Sequence, residues 1–473
     1  VQALDDQGKP LVNGSTTEHT MAGIGALLVG RCLATYRIWD GLRALDYLAS
    51  RPEIDPNRLG CTGNSGGGTM TSYLMALDDR IAVAAPSCFI TSLERLFATI
   101  GPQDAEQNIT GQVAFGMDHA DYLTMHAPRP TLMCIASQDF FDPQGSWTTF
   151  REATRLFGVF GHSERVALVE YDDKHGFSKP RREAVLRWMR RWLLHIDDAP
   201  TEGVLSVHKD VDLQCTRSGQ VLADFKGISV FGLNVREAKK HEAARAKFVK
   251  LPESVRQAEI RRLLGMPAEI PIAKQLNQKV SGDDHLQRVV YESENGILLP
   301  GLRFKRAAKG PTVLYVPENG LPRDGKLPRW LAETNKNVCI FDLRGLGETA
   351  PGAKSGYFGS DYKEAFVSLD LGRPLLGQRV LDILSLLKAL DGGDVEIIGE
   401  GITGPIVLHA AALDPRIRLV KLRNSLTSWT SVVEQPISHD QLANVVPGVL
   451  KVYDLPELTR TLEERGVRIV HQD

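Results

Sequence analysis

The pentapeptide Gly63-Asn64-Ser65-Gly66-Gly67 constrains the fold of this chain more than any other stretch. A short apolar run at 59–62 precedes it and predicts a strand, and apolar residues at helical spacing follow it. Strand, tight turn with serine, then helix is the context of a nucleophile elbow, in which a strained backbone holds the hydroxyl clear of the sheet. We expect the positions of Gly63 and Gly67 to require small residues, because larger side chains there would collide with the neighbouring strand and helix. The alternative is a glycine-rich turn that holds a serine by chance.

Two further polar residues directly follow predicted strands in the first half of the chain. Asp139 comes after the buried-strand pattern 131–136, and His175 comes after the strand pattern 166–171. With Ser65 they stand in the order nucleophile, acid, base that is typical of the α/β-hydrolase arrangement. Because predicted strands alternate with predicted helices, we expect a mostly parallel, doubly wound sheet on which all three side chains meet at one edge.

The predicted site combines groups that catalysis by serine requires. An unassisted serine hydroxyl is a poor nucleophile, and a histidine with a reference pKa of about 6.5 can accept its proton. In this prediction His175 activates Ser65, and Asp139 fixes the tautomer of the imidazole. The backbone N–H of Gly66, the residue after the serine, would supply one donor of an oxyanion hole.

Other carboxylates and histidines compete for these roles. Asp142 lies three residues beyond Asp139 and is the alternative acid, but Asp139 is nearer the strand end. His119 and His126 lack a strand-end context, and we expect them to be cap or surface residues. They fall in or beside the polar segment 91–123, which predicts an insertion over the strand ends.

Composition excludes several classes of partner. A formal net charge of −2 over 473 residues argues against nucleic acid or an anionic membrane surface as the main partner. The six cysteines are scattered without a C-x-x-C pair, so buried thiols are favoured over disulfides or a zinc site. No apolar run is long enough to span a membrane. No H-E-x-x-H motif occurs, and we therefore expect neither a metal nor a cofactor.

Three stretches around these residues resemble a known family. They are similar to stretches of bacterial acetyl xylan esterase-like α/β hydrolases, which are related to the dienelactone hydrolase group. The three stretches are RALDYLASRPEIDPNRLGCTGNSGGGT, APRPTLMCIASQDFFD and DDKHGFSKPRREAVLRWMRRWL. The resemblance covers nearly all of Asp5 to Leu194. It implies hydrolysis of small acyl esters, commonly acetyl groups on carbohydrate, and a secreted or periplasmic location. The sequence itself identifies neither the compartment nor the oligomeric state.

Two other functions remain open. A serine peptidase of the prolyl-oligopeptidase kind shares the fold and the triad, although it usually carries a propeller and no blade repeats occur here. The other alternative is a non-catalytic binding or scaffold protein.

The second half of the chain repeats the first without a gap. Gly63 aligns with Gly399 and Ser65 with Gly401, at the same offset as the surrounding residues. Because Gly401 has no side-chain oxygen that could act as a nucleophile, we expect this copy to lack triad chemistry. Residues 399–404 also fit the G-x-G-x-x-G dinucleotide signature, but no acidic ribose partner follows. A structural or substrate-shaping role is favoured.

The repeat predicts three regions. Residues 1–198 would form the catalytic α/β-hydrolase domain, 199–299 a linker, and 300–473 a degenerate hydrolase-like domain. Within the linker, 204–230 predicts short strands, and the charged stretch 237–264 predicts a solvated helix that joins the two domains.

The alignment also predicts missing strands in the first copy. Asp5-Asp6-Gln7-Gly8 matches the loop at Asp342, which in the second copy follows earlier strands. We therefore expect the corresponding strands, with the second oxyanion donor, upstream of Val1, unless the first sheet is built differently. Loss of one such donor typically lowers the rate on the order of 10²–10³-fold.

Overall fold

The computed structural model describes residues 3–5, 9–280, 286–306, 311–322, 328–352, 355–390 and 393–472. Its chain forms two compact units. We call Cys32–Gly227 the Ser65 unit, and Val1–Arg31 together with Ile228–Asp473 the Gly401 unit. These bounds differ from the predicted boundaries after residues 198 and 299, and the three-part division remains a prediction. Asp6-Gln7-Gly8 of the predicted loop match lies outside the described residues.

Strands and helices are numbered along the chain. The strands are β1 (Leu59–Asn64), β2 (Ile81–Ser87), β3 (Thr131–Gln138), β4 (Val166–Lys174), β5 (Lys274–Val280), β6 (Leu286–Glu294), β7 (Ile297–Phe304), β8 (Thr312–Val316), β9 (Asn337–Phe341), β10 (Val395–Glu400), β11 (Ile417–Arg423) and β12 (Arg468–Gln472). The helices are α1 (Ser15–Leu28), α2 (Leu33–Ser50), α3 (Gly66–Leu77), α4 (Leu93–Ala98), α5 (Gln112–Phe115), α6 (His119–His126), α7 (Pro143–Val159), α8 (Lys179–Leu194), α9 (Val221–Asp224), α10 (Val230–Lys240), α11 (Glu242–Phe248), α12 (Glu253–Leu263), α13 (Arg329–Ala332), α14 (Tyr362–Asp370), α15 (Leu375–Ala389), α16 (Gly404–Leu413), α17 (Trp429–Glu434) and α18 (Leu455–Glu464).

The Ser65 unit is built on a four-stranded parallel sheet in the order β1-β2-β3-β4. Successive side chains of a strand point to opposite faces. In β3, Met133 packs in one buried cluster with Phe157, and its neighbour Leu132 packs in another with Trp188. Helices therefore cover both faces, as parallel sheets require, and the predicted doubly wound α/β class is confirmed.

The Gly401 unit contains an eight-stranded sheet in the order β12-β11-β10-β8-β9-β7-β6-β5. The strands from β12 to β9 are parallel, and β7, β6 and β5 continue the sheet in antiparallel pairs. Sequence analysis placed most of these last three strands in the linker. The signal that could have found them is Asn295-Gly296, where Gly296 has φ +78° and closes the β6–β7 hairpin.

The predicted linker differs from the structure in two respects. The region 204–230 contains a 3₁₀-helix, Asp210–Leu213, and the short helix α9, and no strand is found in this fully described stretch. The charged stretch 237–264 forms parts of three helices, and Ala238, Phe248 and Ile260 in it are buried. The Phe248 ring stacks on Tyr453 at 4.7 Å, so the prediction of a solvated connecting helix was wrong. Each short helix has only a few buried apolar residues among many charged ones, so the sequence showed no clear apolar face.

Helix length bears on the membrane prediction. No single helix of the described residues is long and apolar enough to cross a membrane. Only the bent pair of α1 and α2, taken together, has the length and the apolar composition of a span. The expectation of no membrane partner remains a prediction.

Candidate active site

The turn between β1 and α3 has the backbone of an elbow. Ser65 has φ +58° and ψ −121°, a conformation that non-glycine residues rarely adopt and that is concentrated at functional sites. Its N–H donates to the Ser87 carbonyl at 2.9 Å, and its own carbonyl accepts from Thr69 N–H at 2.9 Å. The strained residue is thus held by β2 on one side and by the first helical turn on the other.

Close backbone packing explains two of the glycines around the turn. A Cβ at Gly63 would lie 2.5 Å from the backbone carbonyl of Gly67, and one at Gly68 would lie 2.4 Å from the carbonyl oxygen of Ser87. A Cβ at Gly67 would meet nothing within 4 Å. The prediction that Gly67 must be small was therefore wrong, because the helix contacts β2 through the next residue.

Asp139 and His175 are in contact. The Oδ1 atom of Asp139 lies 2.8 Å from Nδ1 of His175 and accepts from Phe141 N–H at 3.1 Å. Only 2% of the Asp139 side chain is exposed. Burial raises the pKa of Asp139, but hydrogen bonds from His175 and from Phe141 N–H outweigh it and lower the pKa below its ordinary value. The carboxylate is therefore charged at neutral pH and oriented toward the imidazole.

The elbow is tied to the loop that carries His175. In the amide orientation that satisfies both of its polar atoms, Asn64 donates to Gly176 O and to Ser87 Oγ, each at 2.9 Å, and accepts from Ser65 N–H at 3.2 Å. Asn64 precedes Ser65, and Gly176 follows His175. Ser65 and His175 thus lie at the same carboxyl edge of the sheet. Gly66, the predicted oxyanion donor, is the first residue of α3, so its N–H has no acceptor within the helix.

Asp142, the alternative acid, has a different role. Its carboxylate accepts from the N–H groups of Gln144 and Gly145, at 2.7 and 3.2 Å, and so caps α7. Its other oxygen pairs with Arg95. Asp139 and not Asp142 contacts His175, as the position nearer the strand end predicted.

His119 and His126 were predicted to be cap or surface residues, and because both are buried the surface alternative was wrong. The Nδ1 of His119 accepts from Thr91 N–H at 3.0 Å, and Nδ1 of His126 lies 2.9 Å from Met75 O. Burial lowers the pKa of each imidazole to about 4. Both are neutral at pH 7 and hold the insertion against the core. The sequence did not show that α6 packs between α3 and α7.

Sequence reasoning missed two residues beside His175. The Phe140 ring stacks on the imidazole with centroids 4.3 Å apart, and Phe140 is 45% exposed. Cys88, directly after β2, is buried and has φ +49°. The position of Phe140 between Asp139 and Phe141 could have indicated a ring at the strand end. No local signal marked Cys88.

One group of side chains near the site offers metal-ligand atoms. Cys88, Asp139 and His175 each present one such atom, all within 4.8 Å of one another. Burial raises the pKa of the Cys88 thiol, and metals bind the thiolate. A cation would also compete with Asp139 for Nδ1 of His175. These residues fit a hydrogen-bonded group better than a metal centre, and the expectation of no metal remains a prediction.

The equivalent turn of the Gly401 unit holds a carboxylate. Gly401 has φ +55°, and a Cβ there would lie 2.3 Å from the Glu318 carboxylate. Glu318 Oε1 accepts from Ile402 N–H at 3.3 Å. Because this N–H is the one that a phosphate would use at the glycine-rich turn, the carboxylate disfavours dinucleotide binding.

Comparison with known proteins agrees with this topology. Residues 30–198 match the prolyl oligopeptidase family. A Bacillus subtilis protein named "Putative hydrolase YtaP" is 28% identical over 172 residues, which are 35% of this chain and 56% of that protein. The chain thus spans about half the length of this curated relative.

Several solved esterase structures are also similar. A "putative acetyl xylan esterase" from Bacteroides fragilis is 14% identical, with a TM-score of 0.42 over 55% of this chain and 77% of that chain. A glucuronoyl esterase from Caldicellulosiruptor kristjansonii is 19% identical, with a TM-score of 0.32 over 37% of this chain and 55% of that chain. Because these scores are low, the assignment rests on the family match and the strand–elbow–helix topology. Residues 30–198 have the α/β-hydrolase fold, and the resemblance to esterase-like α/β hydrolases is confirmed at the level of fold.

Proposed function

We propose that the Ser65 unit is a serine hydrolase that cleaves carboxylic esters of small acyl groups. The observation that carries the proposal is the Asp139–His175 contact of 2.8 Å at the sheet edge where Ser65 adopts its elbow conformation. The YtaP relative and the family match support hydrolase chemistry in this part of the chain.

Each residue has one role in the proposed reaction. His175 accepts the proton of the Ser65 hydroxyl as its oxygen attacks the ester carbonyl, and Asp139 stabilises the resulting imidazolium. The Gly66 N–H donates to the oxyanion. His175 then protonates the departing alcohol, and an acyl-enzyme remains. Water, activated by the same imidazole, releases the acid and restores Ser65.

The proposed substrate is a small acyl ester, with acetyl groups on carbohydrate as the preferred case. This preference rests on the sequence resemblance. The exposed ring of Phe140 beside His175 supports it, because an aromatic face at the rim offers apolar contact to a sugar ring or a short acyl chain.

Turnover of p-nitrophenyl acetate tests the proposal. We expect the wild type to hydrolyse this ester and Ser65→Ala to lose the activity. Ser137→Ala is a matched control. Ser137 lies near the carboxyl end of β3, at the same edge of the sheet, and its hydroxyl donates to Asp172 at 2.6 Å. Equal rates for the wild type and Ser65→Ala would exclude this function.

A serine peptidase is the second candidate, because the matched family is named for prolyl oligopeptidase. Amides are harder to cleave than activated esters, so p-nitrophenyl acetate alone does not separate the two candidates. Aminoacyl-proline amides do: cleavage dependent on Ser65 at a rate comparable to acetyl esters would favour the peptidase. We expect none.

A further inference from the structure

Cys88 occupies a strained position at the edge of the sheet where Asp139 and His175 meet. It directly follows β2, its φ is +49°, and it is 2% exposed. Its N–H donates to the Cys134 carbonyl at 2.9 Å. Non-glycine residues at positive φ are uncommon and cluster where function requires them. The backbone of β2 therefore holds the thiol at the predicted site.

The thiol lies near the Asp139 carboxylate, one oxygen of which lacks a partner. The sulfur of Cys88 is within 4.8 Å of a carboxylate oxygen of Asp139 and of a ring nitrogen of His175. Oδ1 of Asp139 accepts from the imidazole and from Phe141 N–H. Oδ2 is buried and has no hydrogen-bond partner among the described residues. A buried, unpaired carboxylate oxygen is costly, so a donor is expected nearby.

The other acceptor near the thiol is already satisfied. In the described rotamer the thiol donates to the Gly176 carbonyl oxygen at 3.6 Å. That oxygen also accepts from the Arg181 guanidinium and from the Asn64 amide, which fill the two lone pairs of a carbonyl. Rotation about the Cβ–Sγ bond frees the S–H for Asp139. The Arg181 guanidinium is itself paired with the Asp173 carboxylate.

We propose that Cys88 is a positioning residue whose thiol donates to Oδ2 of Asp139 and holds the carboxylate in register with Nδ1 of His175. This inference rests on the proposed function, since it assigns Cys88 a place in the same reaction. The thiol stays neutral and forms no covalent bond.

Three substitutions test the role of the thiol. Cys88→Ala removes the donor, Cys88→Ser replaces it with a stronger one, and Cys88→Gly removes it while relieving the positive φ. Cys134→Ala is the matched control, because it empties a similar volume in the adjacent strand, where the Cys134 carbonyl accepts from Cys88 N–H.

Kinetics on p-nitrophenyl acetate separate positioning from packing. We expect Cys88→Ala and Cys88→Gly to lower kcat on the order of 10-fold with KM little changed, the scale of a lost orienting contact. Cys88→Ser should stay within about 3-fold of the wild type, and Cys134→Ala should lower only thermal stability. A Cys88→Ser variant as impaired as Cys88→Ala, or Ala and Gly variants with wild-type kcat, would overturn the proposal.

NMR of the His175 ring makes the test independent of turnover. In a Ser65→Ala background, Cys88→Ala should move the ring nitrogen resonances of His175, because the carboxylate that contacts Nδ1 is no longer held in place. Cys134→Ala should leave these resonances where they are. Unchanged resonances in Cys88→Ala would refute the thiol contact. If Ser65→Ala retained full activity, the hydrolase proposal would fail while this measurement still reported on Cys88.

Discussion

The Ser65 and Gly401 turns share a positive φ at the central residue and have different neighbours. Their central residues have φ +58° and φ +55°. In each unit the strand before the turn pairs in parallel with the next strand along the chain. The first pairs are Leu59 with Ile81 and Val395 with Ile417, and in both sheets the register shifts after that pair. Ser65 lies at the edge that also carries the Asp139–His175 pair, and the Gly401 turn faces Glu318.

On the proposed function, this difference indicates that a turn with an elbow-like φ needs suitable neighbours to become a catalytic site. The carboxylate of Glu318 fills the space of a nucleophile side chain and accepts the N–H that would bind an oxyanion. Burial raises the pKa of Glu318, with further contributions from nearby Glu400 and Asp440. The shared register supports the internal repeat that the sequence predicts.

The largest expected effect is the loss of activity in Asp139→Asn. An amide cannot stabilise the imidazolium and favours the wrong tautomer, so we expect kcat on p-nitrophenyl acetate to fall on the order of 10³–10⁴-fold. The matching change in the other unit, Glu318→Gln, should leave kcat unchanged. Comparable losses in both variants would remove the distinction between the units.

Gly401→Ser tests why the second turn is inactive. A serine tolerates this φ at position 65, so the obstacle is the Glu318 carboxylate, 2.3 Å from the new Cβ. We expect destabilisation on the order of 1–3 kcal/mol, seen as a lower midpoint of thermal unfolding, and no activity in a Ser65→Ala background. Adding Glu318→Ala should restore the midpoint. A stable and active Gly401→Ser variant would contradict the comparison.

The two strand-end carboxyls should have opposite effects on stability as pH changes. Burial raises the pKa of Asp342 from 3.8 to about 6, so the stability that its protonated form contributes is present below pH 3.8 and is lost as pH rises through 6. Relative to Asp342→Asn, the wild type should lose about 2–3 kcal/mol between pH 4 and pH 7. Urea unfolding at several pH values measures this difference.

Asp139 provides the contrast in that experiment. Because its pKa is lowered in the folded state, its contribution is present above the unfolded value of 3.8 and is lost as pH falls through the folded value. The wild type should therefore lose stability relative to Asp139→Asn as the pH falls, whereas it loses stability relative to Asp342→Asn as the pH rises. Parallel stability curves for the wild type and Asp342→Asn would show that Asp342 is not held protonated.

The smallest expected effect is that of Asp142→Ala. Loss of the α7 cap and of the Arg95 pair should cost about 1 kcal/mol of stability, with kcat within 3-fold of the wild type. A loss of kcat as large as that of Asp139→Asn would show that the site uses the other carboxylate.

Features that depend only on neighbouring residues in the sequence were predicted well. Strand, serine turn and helix at Ser65, and the placement of Asp139 and His175 after strands, follow from local patterns. The α/β class followed from the same alternation. These features depend on hydrophobic periodicity and glycine, which a short window contains.

Features that depend on packing between distant segments were missed. Glu318 lies far along the chain from Gly401, and no local pattern places its carboxylate at that turn. The burial of His119 and His126 depends on the position of α6 against α3, and the contact of Cys88 with Asp139 depends on the register of β2 and β3. Buried polar residues look like surface residues until their partners are known.

Labelling with a fluorophosphonate tests the central claim most directly, that Ser65 alone is an activated nucleophile. Peptide mass spectrometry of the labelled protein should place the phosphonyl group on Ser65, and His175→Gln should abolish the adduct while the protein remains folded. A folded wild type that stays unlabelled, or that carries the label on another serine, would contradict the account.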